Sequence, residues 1–116
     1  MAGDKRKLKG LGSVERTEPV KVREGIARRT LVYGERVLVA HWEIHAGTRF
    51  GEHSHIYEQA GFVLKGRLRM IIDSEPTELT AGSAYLVPSD VKHDAIALED
   101  VEVVDTFSPL REEYID

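Results

Sequence analysis

From residue 19 onward the chain is a succession of short apolar stretches cut by Gly, Pro, Asp and Ser, with no long 3.6-residue apolar periodicity anywhere. A chain without that periodicity has no helical face to bury, so the pattern predicts an all-β fold. The candidate strands are residues 20–23, 27–33, 36–45, 59–65, 67–73, 77–80, 84–87, 93–97 and 101–107. Strands this short and closely spaced fit a sandwich or a small barrel. Around Lys65-Gly66 the residues Phe62, Leu64, Leu68, Met70 and Ile72 are apolar while Lys65, Arg67 and Arg69 alternate with them. That alternation predicts a hairpin with one buried and one wet face.

A length of 116 residues holds one core, and 41% apolar content is enough to fill it. We expect a single β-barrel domain over residues 19–116, preceded by a flexible basic arm over residues 1–18 that lacks an apolar pattern. The net charge of -4 is far from the basic balance that nucleic-acid binding needs, so no nucleic-acid partner is expected. Charge is uneven: residues 1–36 hold ten Lys or Arg and five Asp or Glu, whereas residues 37–116 hold six and fifteen. The run Lys5-Arg6-Lys7 reads as a solvated terminus. No apolar run is long enough to span a membrane and the basic start lacks the apolar centre of a secretion signal, so a cytoplasmic location is expected.

Cysteine is absent, which removes disulfides, thiolate nucleophiles and sulfur ligands. Any bound metal must sit on N and O donors. His53-Ser54-His55 has the spacing that puts both imidazoles on one face of an extended segment, and Gln59 shares their parity. His93, from a neighbouring strand, is the natural further donor. Glu58 has the opposite parity and faces away. His41 and His45 share a face of residues 36–45 with Glu43, opposite Ala40, Trp42 and Ile44, and read as exposed or interfacial.

In residues 101–107, parity sets Asp105 with Val101, Val103 and Phe107 on the apolar side of its strand. An isolated charge there is costly. Asp105 is therefore either half of a structural ion pair or a general acid/base facing the same cavity as the metal.

The spacing Gly47, five residues, His53, one, His55, three, Gln59, six, Gly66, and then Gly82, five, Pro88, four, His93 resembles the two motifs of the cupin superfamily. The resemblance implies a double-stranded β-helix, a jelly-roll-like β-barrel. It implies one divalent transition metal per chain, Mn, Fe, Ni, Co or Zn, held by His53, His55, Gln59 and His93. Three departures stand out: Gln59 replaces Glu, Asp90 replaces Gly and Ala97 replaces Asn. A neutral amide oxygen in place of a carboxylate leaves the ion with more positive charge for an anionic or carbonyl ligand.

The segments Tyr33-Gly34-Glu35, His53-Ser54-His55 with Glu58-Gln59, and Asp105-x-Phe107-Ser108-Pro109-x-Arg111-Glu112 further resemble small single-domain cupins of the pectin-degradation type, which ketonise unsaturated uronates. That likeness implies Asp105 and Arg111 in catalysis and Phe107, Arg111 and Tyr57 around a small acidic sugar. Tyr57 stands where the enzymes often have His. Two other functions are open: a metal-dependent oxygenase, against which Gln59 counts because a facial triad carries a carboxylate, and a non-enzymatic module binding a small acidic ligand. Cupins of this size are commonly homodimers, and the exposed strand edges of residues 20–33 are the expected contact.

Overall fold

The structure is a computed structural model, and it describes residues 8–116. The described chain is nine strands and one short turn: β1 Val20–Arg23, β2 Ile26–Tyr33, β3 Leu38–Ile44, β4 Glu58–Lys65, β5 Arg67–Ile72, β6 Glu75–Thr80, β7 Ala84–Val87, β8 His93–Ala97, β9 Val101–Ser108, then a 3-10 turn at Glu112–Tyr114. Each expected strand is present within two residues of its expected ends. All pairings are antiparallel and form two sheets, β1-β2-β3-β9-β4-β7 and β6-β5-β8. They face one another as a jelly roll.

Alternation builds the interior. Leu38, Ala40, Trp42 and Ile44 of β3, Val101, Val103 and Phe107 of β9, and Val63 of β4 point inward from the large sheet, and Leu68, Met70 and Ala97 oppose them from the small one. The second sheet is lengthened by the irregular segment 47–53, which runs beside β8. Gly47 and Phe50 donate to the carbonyls of Ala97 and Ala95, and His53 and His93 bond each other's backbone. The segment that carries the first two histidines is thus tied to the strand that carries the third.

The Lys65-Gly66 hairpin is not formed. β4 pairs with β7 and β9, whereas β5 pairs with β6 and β8 in the other sheet. The chain turns the corner of the barrel at Gly66, whose φ of 85° is left-handed and whose absent Cβ lets it sit against the Asp100 carbonyl. A register shift between Val63 and Lys65 against β9 accompanies the corner. Inward parity changes across it: Gln59, Gly61 and Val63 face in on β4, Leu68 and Met70 on β5, and Phe62 and Leu64 are exposed.

His41 is more buried than its face suggested. It faces out of the large sheet, yet it is fully buried. β3 is a central strand, so Arg29 of β2 and Val104 of β9 flank it in register, and Glu102 accepts from its Nε2 at 2.9 Å. His45, beyond the strand end, is exposed as expected.

Of the expected arm, residues 1–7, with Lys5-Arg6-Lys7, lie outside the described residues. The remainder lies along β2: Lys9 and Tyr33 exchange two backbone hydrogen bonds at 3.0 Å, and Arg29 Nε donates to the Thr17 carbonyl at 2.8 Å. No helix among the described residues is long and apolar enough to cross a membrane.

Candidate metal centre

His53, His55 and His93 converge, with their nearest ring nitrogens all within 4.8 Å of one another. Ring centroids are 4.2 Å apart for His53 and His93 and 4.8 Å for His55 and His93. His93 is buried, His55 half-buried and His53 exposed, so the cluster is open to solvent on one side.

The hydrogen bonds fix which nitrogen each ring presents. Nδ1 of His53 lies 2.7 Å from the Gly51 carbonyl, Nδ1 of His55 lies 2.9 Å from that of Tyr57, and Nδ1 of His93 lies 2.9 Å from that of Val91. A carbonyl only accepts, so each Nδ1 carries the proton and each Nε2 presents a bare lone pair. Nε2 of His93 is buried and has no hydrogen-bond partner. Nε2 of His55 faces Oε1 of Gln59 at 3.1 Å, one acceptor against another. Burial holds the pKa of both His55 and His93 below the usual imidazole value, which keeps the rings neutral as metal binding requires. These orphaned, mutually facing acceptors fit a divalent cation among His53, His55, His93 and Gln59, and their N,O chemistry fits a borderline transition metal.

Behind the histidines, the inner wall holds a buried polar group. Asp105 faces in, and the Tyr85 hydroxyl donates to its Oδ1 at 2.6 Å. Burial pushes the Asp105 carboxyl up to about 6, and hydrogen bonds from Tyr85 and Gln59 and the Arg111 charge work in the opposite direction. Burial and the Asp105 charge push the Tyr85 phenol far up, so it stays a donor. Gln59 faces inward on β4 and lines the same cavity as Asp105 and Tyr85. Its amide oxygen is turned toward His55, which leaves the NH2 for the cavity that it shares with Asp105 and Tyr85.

Arg111 closes the other side. Its guanidinium carbon lies 5.0 Å from the ring centre of Tyr57, 4.8 Å from that of Phe107 and 4.1 Å from that of Tyr114, and Nε donates to Glu113 at 3.0 Å. Tyr57 also donates to Glu113, at 2.9 Å. His53, Gln59, His93, Asp105, Phe107 and Arg111 line one cavity of about 40 Å³, with Trp42 and Tyr114 among its other walls. Tyr57 is not part of this lining and adjoins it through Arg111. Tyr114 is held in the barrel by a hydrogen bond from Thr30 to its carbonyl, by the Arg28 guanidinium over its ring, and by the Arg28–Asp116 ion pair.

Three supporting residues were missed from sequence. Tyr85 carried no signal, because its partner lies 20 residues away on a strand it does not pair with. Asp94 is buried beside His93; it accepts from Arg49 at 2.6 Å and from the Gly51 amide at 2.9 Å, and so anchors the residue whose carbonyl orients His53. Tyr114 lies in the tail, beyond the last alternating stretch. Of the departures from the cupin motifs, Asp90 now has a reason: its φ is 64°, a left-handed position where Gly is favoured and Asp is among the better tolerated residues. Glu58 is exposed and points away from the histidines, as its parity required.

Two facing antiparallel sheets with three convergent histidines at one end define a cupin. The chain matches the Cupin domain family over residues 40–107 and belongs to it. It is similar to the pectin degradation protein KdgF of Dickeya dadantii (strain 3937), with 28% identity over 94 residues, which cover 79% of this chain and 86% of that protein. Among solved structures, an RmlC-like cupin from Shewanella frigidimarina superposes with a TM-score of 0.88 at 27% identity, covering 92% of this chain and 96% of the other. KdgF from Halomonas sp. superposes with a TM-score of 0.86 at 26% identity, covering 90% of this chain and 98% of the other.

Proposed function

We propose that this cupin is a metal-dependent enzyme that ketonises an unsaturated uronate, with His53, His55, Gln59 and His93 as metal ligands and Asp105 and Arg111 as the groups that act on the sugar. The observation that carries the reading is the single cavity shared by Asp105, Arg111, Gln59 and two of the three clustered histidines, His53 and His93. A bound divalent ion would supply Lewis acidity, polarising the carboxylate and the enol or hydroxyl oxygens of the substrate. The identity of the ion is left among Mn, Fe, Ni, Co and Zn. Similarity to KdgF, a pectin degradation protein, supports the substrate class.

Asp105 suits proton transfer between oxygen and carbon, since a carboxyl near 6 both accepts and releases a proton close to neutral pH. Arg111 is preoriented by three aromatic rings and offers its guanidinium to a carboxylate, the pairing that planar fork favours. Phe107 and Tyr57 flank it and would bracket the ring of the sugar. Gln59 supplies no carboxylate to a facial triad, which disfavours the oxygenase alternative.

We also propose a homodimer through the N-terminal strands. β1 is the edge of the six-stranded sheet and is exposed along its whole length, with Val20 and Val22 at 37% and 44% exposure. A cytoplasmic location accords with a cysteine-free chain acting on a small metabolite.

The test is to incubate metal-loaded protein with unsaturated uronate monomers and follow loss of the ultraviolet absorbance of the conjugated double bond. Loss with wild type and not with Asp105→Asn supports the assignment. Equal loss with both, or no loss above the spontaneous rate with any of the five metals, overturns it.

A further inference from the structure

Asp105, Gly61 and Tyr85 lie in one row across three strands. Asp105 of β9 pairs with Gly61 of β4, and Gly61 pairs with Tyr85 of β7. Tyr85 and Asp105 are therefore two strands apart, about 10 Å at the usual interstrand spacing, beyond the reach of an ordinary cross-strand contact. They nonetheless meet, with the phenol oxygen 2.6 Å from Oδ1. The residue between them explains how: a Cβ on Gly61 would run into the Tyr85 ring and into Asp105 Oδ1. Gly61 has an ordinary backbone conformation, so its lack of a side chain serves space and not flexibility.

Through this notch Tyr85, itself a wall of the cavity, also reaches across β4 as a donor to Asp105. With Oδ1 of Asp105 engaged by the phenol, the carboxylate is left to accept from an amide NH2 in the cavity that it shares with Gln59, which sits two residues from Gly61 on the same inward face of β4. The amide can then turn only its oxygen toward His55. A Glu at position 59 would set two carboxylates against each other in a buried space, so the departure from the cupin pattern and the presence of Asp105 are one arrangement.

We propose that Tyr85 is a positioning residue: lying across the Gly61 notch, its hydroxyl holds Asp105 and, through it, the Gln59 amide, so that Gln59 offers oxygen and not nitrogen to the metal. The inference rests on the metal centre and on the role of Asp105 proposed above. It extends both to a residue outside the proposed metal ligands and sugar-binding groups.

Tyr85→Phe removes only the hydroxyl and leaves the ring that fills the space over Gly61. Co2+ added to the metal-free protein is the probe. The expected result is roughly tenfold weaker Co2+ affinity by calorimetric titration and a changed visible absorption spectrum, because Gln59 can rotate, at a melting temperature close to wild type. Gly61→Ala, which displaces the same phenol from the other side, should move the spectrum in the same direction if it folds. With unsaturated uronate, Tyr85→Phe should lower kcat and leave KM nearly unchanged. Wild-type Co2+ affinity and spectrum in Tyr85→Phe would overturn the proposal. The metal readouts decide it even if no variant, wild type included, turns over a uronate, the outcome that counts against the proposed reaction instead.

Discussion

His53 and His93 bond each other's backbones, N–H to carbonyl at 3.0 Å and 2.8 Å in the two directions, so their side chains leave adjacent backbones on the same side of the small sheet. Directly opposed residues of an antiparallel pair that exchange both hydrogen bonds lie about 5.5 Å apart at Cα and send their side chains to the same face. This pairing brings the ring centroids to 4.2 Å although the residues are 40 positions apart.

Asp94 secures that pair from outside the ligand set. It binds the Gly51 amide, and the Gly51 carbonyl orients His53. Asp94→Ala should weaken divalent-metal binding by roughly ten- to a hundredfold, as loss of a hydrogen-bonded support behind a ligand usually does. Calorimetric titration of the metal-free variant with Zn2+ checks this; unchanged affinity would show that the loop holds without it.

Asp105 carries a stability cost. Its folded pKa, about 6, lies above the ordinary 3.8, because burial opposes the charge more than Tyr85, Gln59 and Arg111 support it. A group raised in this way contributes stability that is full below 3.8 and lost as pH rises through about 6. In chelator, Asp105→Asn should therefore melt above wild type at pH 8, by up to roughly 3 kcal/mol of stability, and the gap should close as pH falls toward 4. Thermal melts across that range test it, and a gap that widens in acid would contradict the assignment.

Arg111 depends on shape as well as charge. Arg111→Lys keeps the charge and loses the flat stack on Tyr57, Phe107 and Tyr114. The expected outcome is a KM for unsaturated uronate raised at least tenfold with metal content unaltered, read from steady-state kinetics beside elemental analysis.

The exposed edge at β1 predicts a dimer at micromolar concentration. Light scattering should give twice the chain mass for wild type and a single chain mass for the double variant Val20→Asp, Val22→Asp. A wild-type mass of one chain refutes the dimer.

Much of this was legible in the sequence, because alternation reports which face of a strand is buried. It placed all nine strands and set Asp105 inward. Alternation does not report which strand pairs with which. Phe62 to Ile72 looked like a hairpin because the even positions are apolar on both sides of Gly66, yet the two strands lie in different sheets and only the second buries its even residues. His41 was read as exposed for a related reason: parity gives its face, and only its central place between β2 and β9 shows that the face is covered. The row Asp105, Gly61, Tyr85 was out of reach because it depends on the registers of three strands at once.

Every catalytic step assigned to this chain depends on an ion at the three histidines and Gln59, so the most direct measurement is the metal content of untagged, purified protein by elemental analysis, beside the double variant His53→Ala, His55→Ala. The account predicts close to one transition-metal ion per wild-type chain and almost none in the variant. Wild-type protein that holds no metal and takes up none of Mn, Fe, Ni, Co or Zn on titration would contradict it.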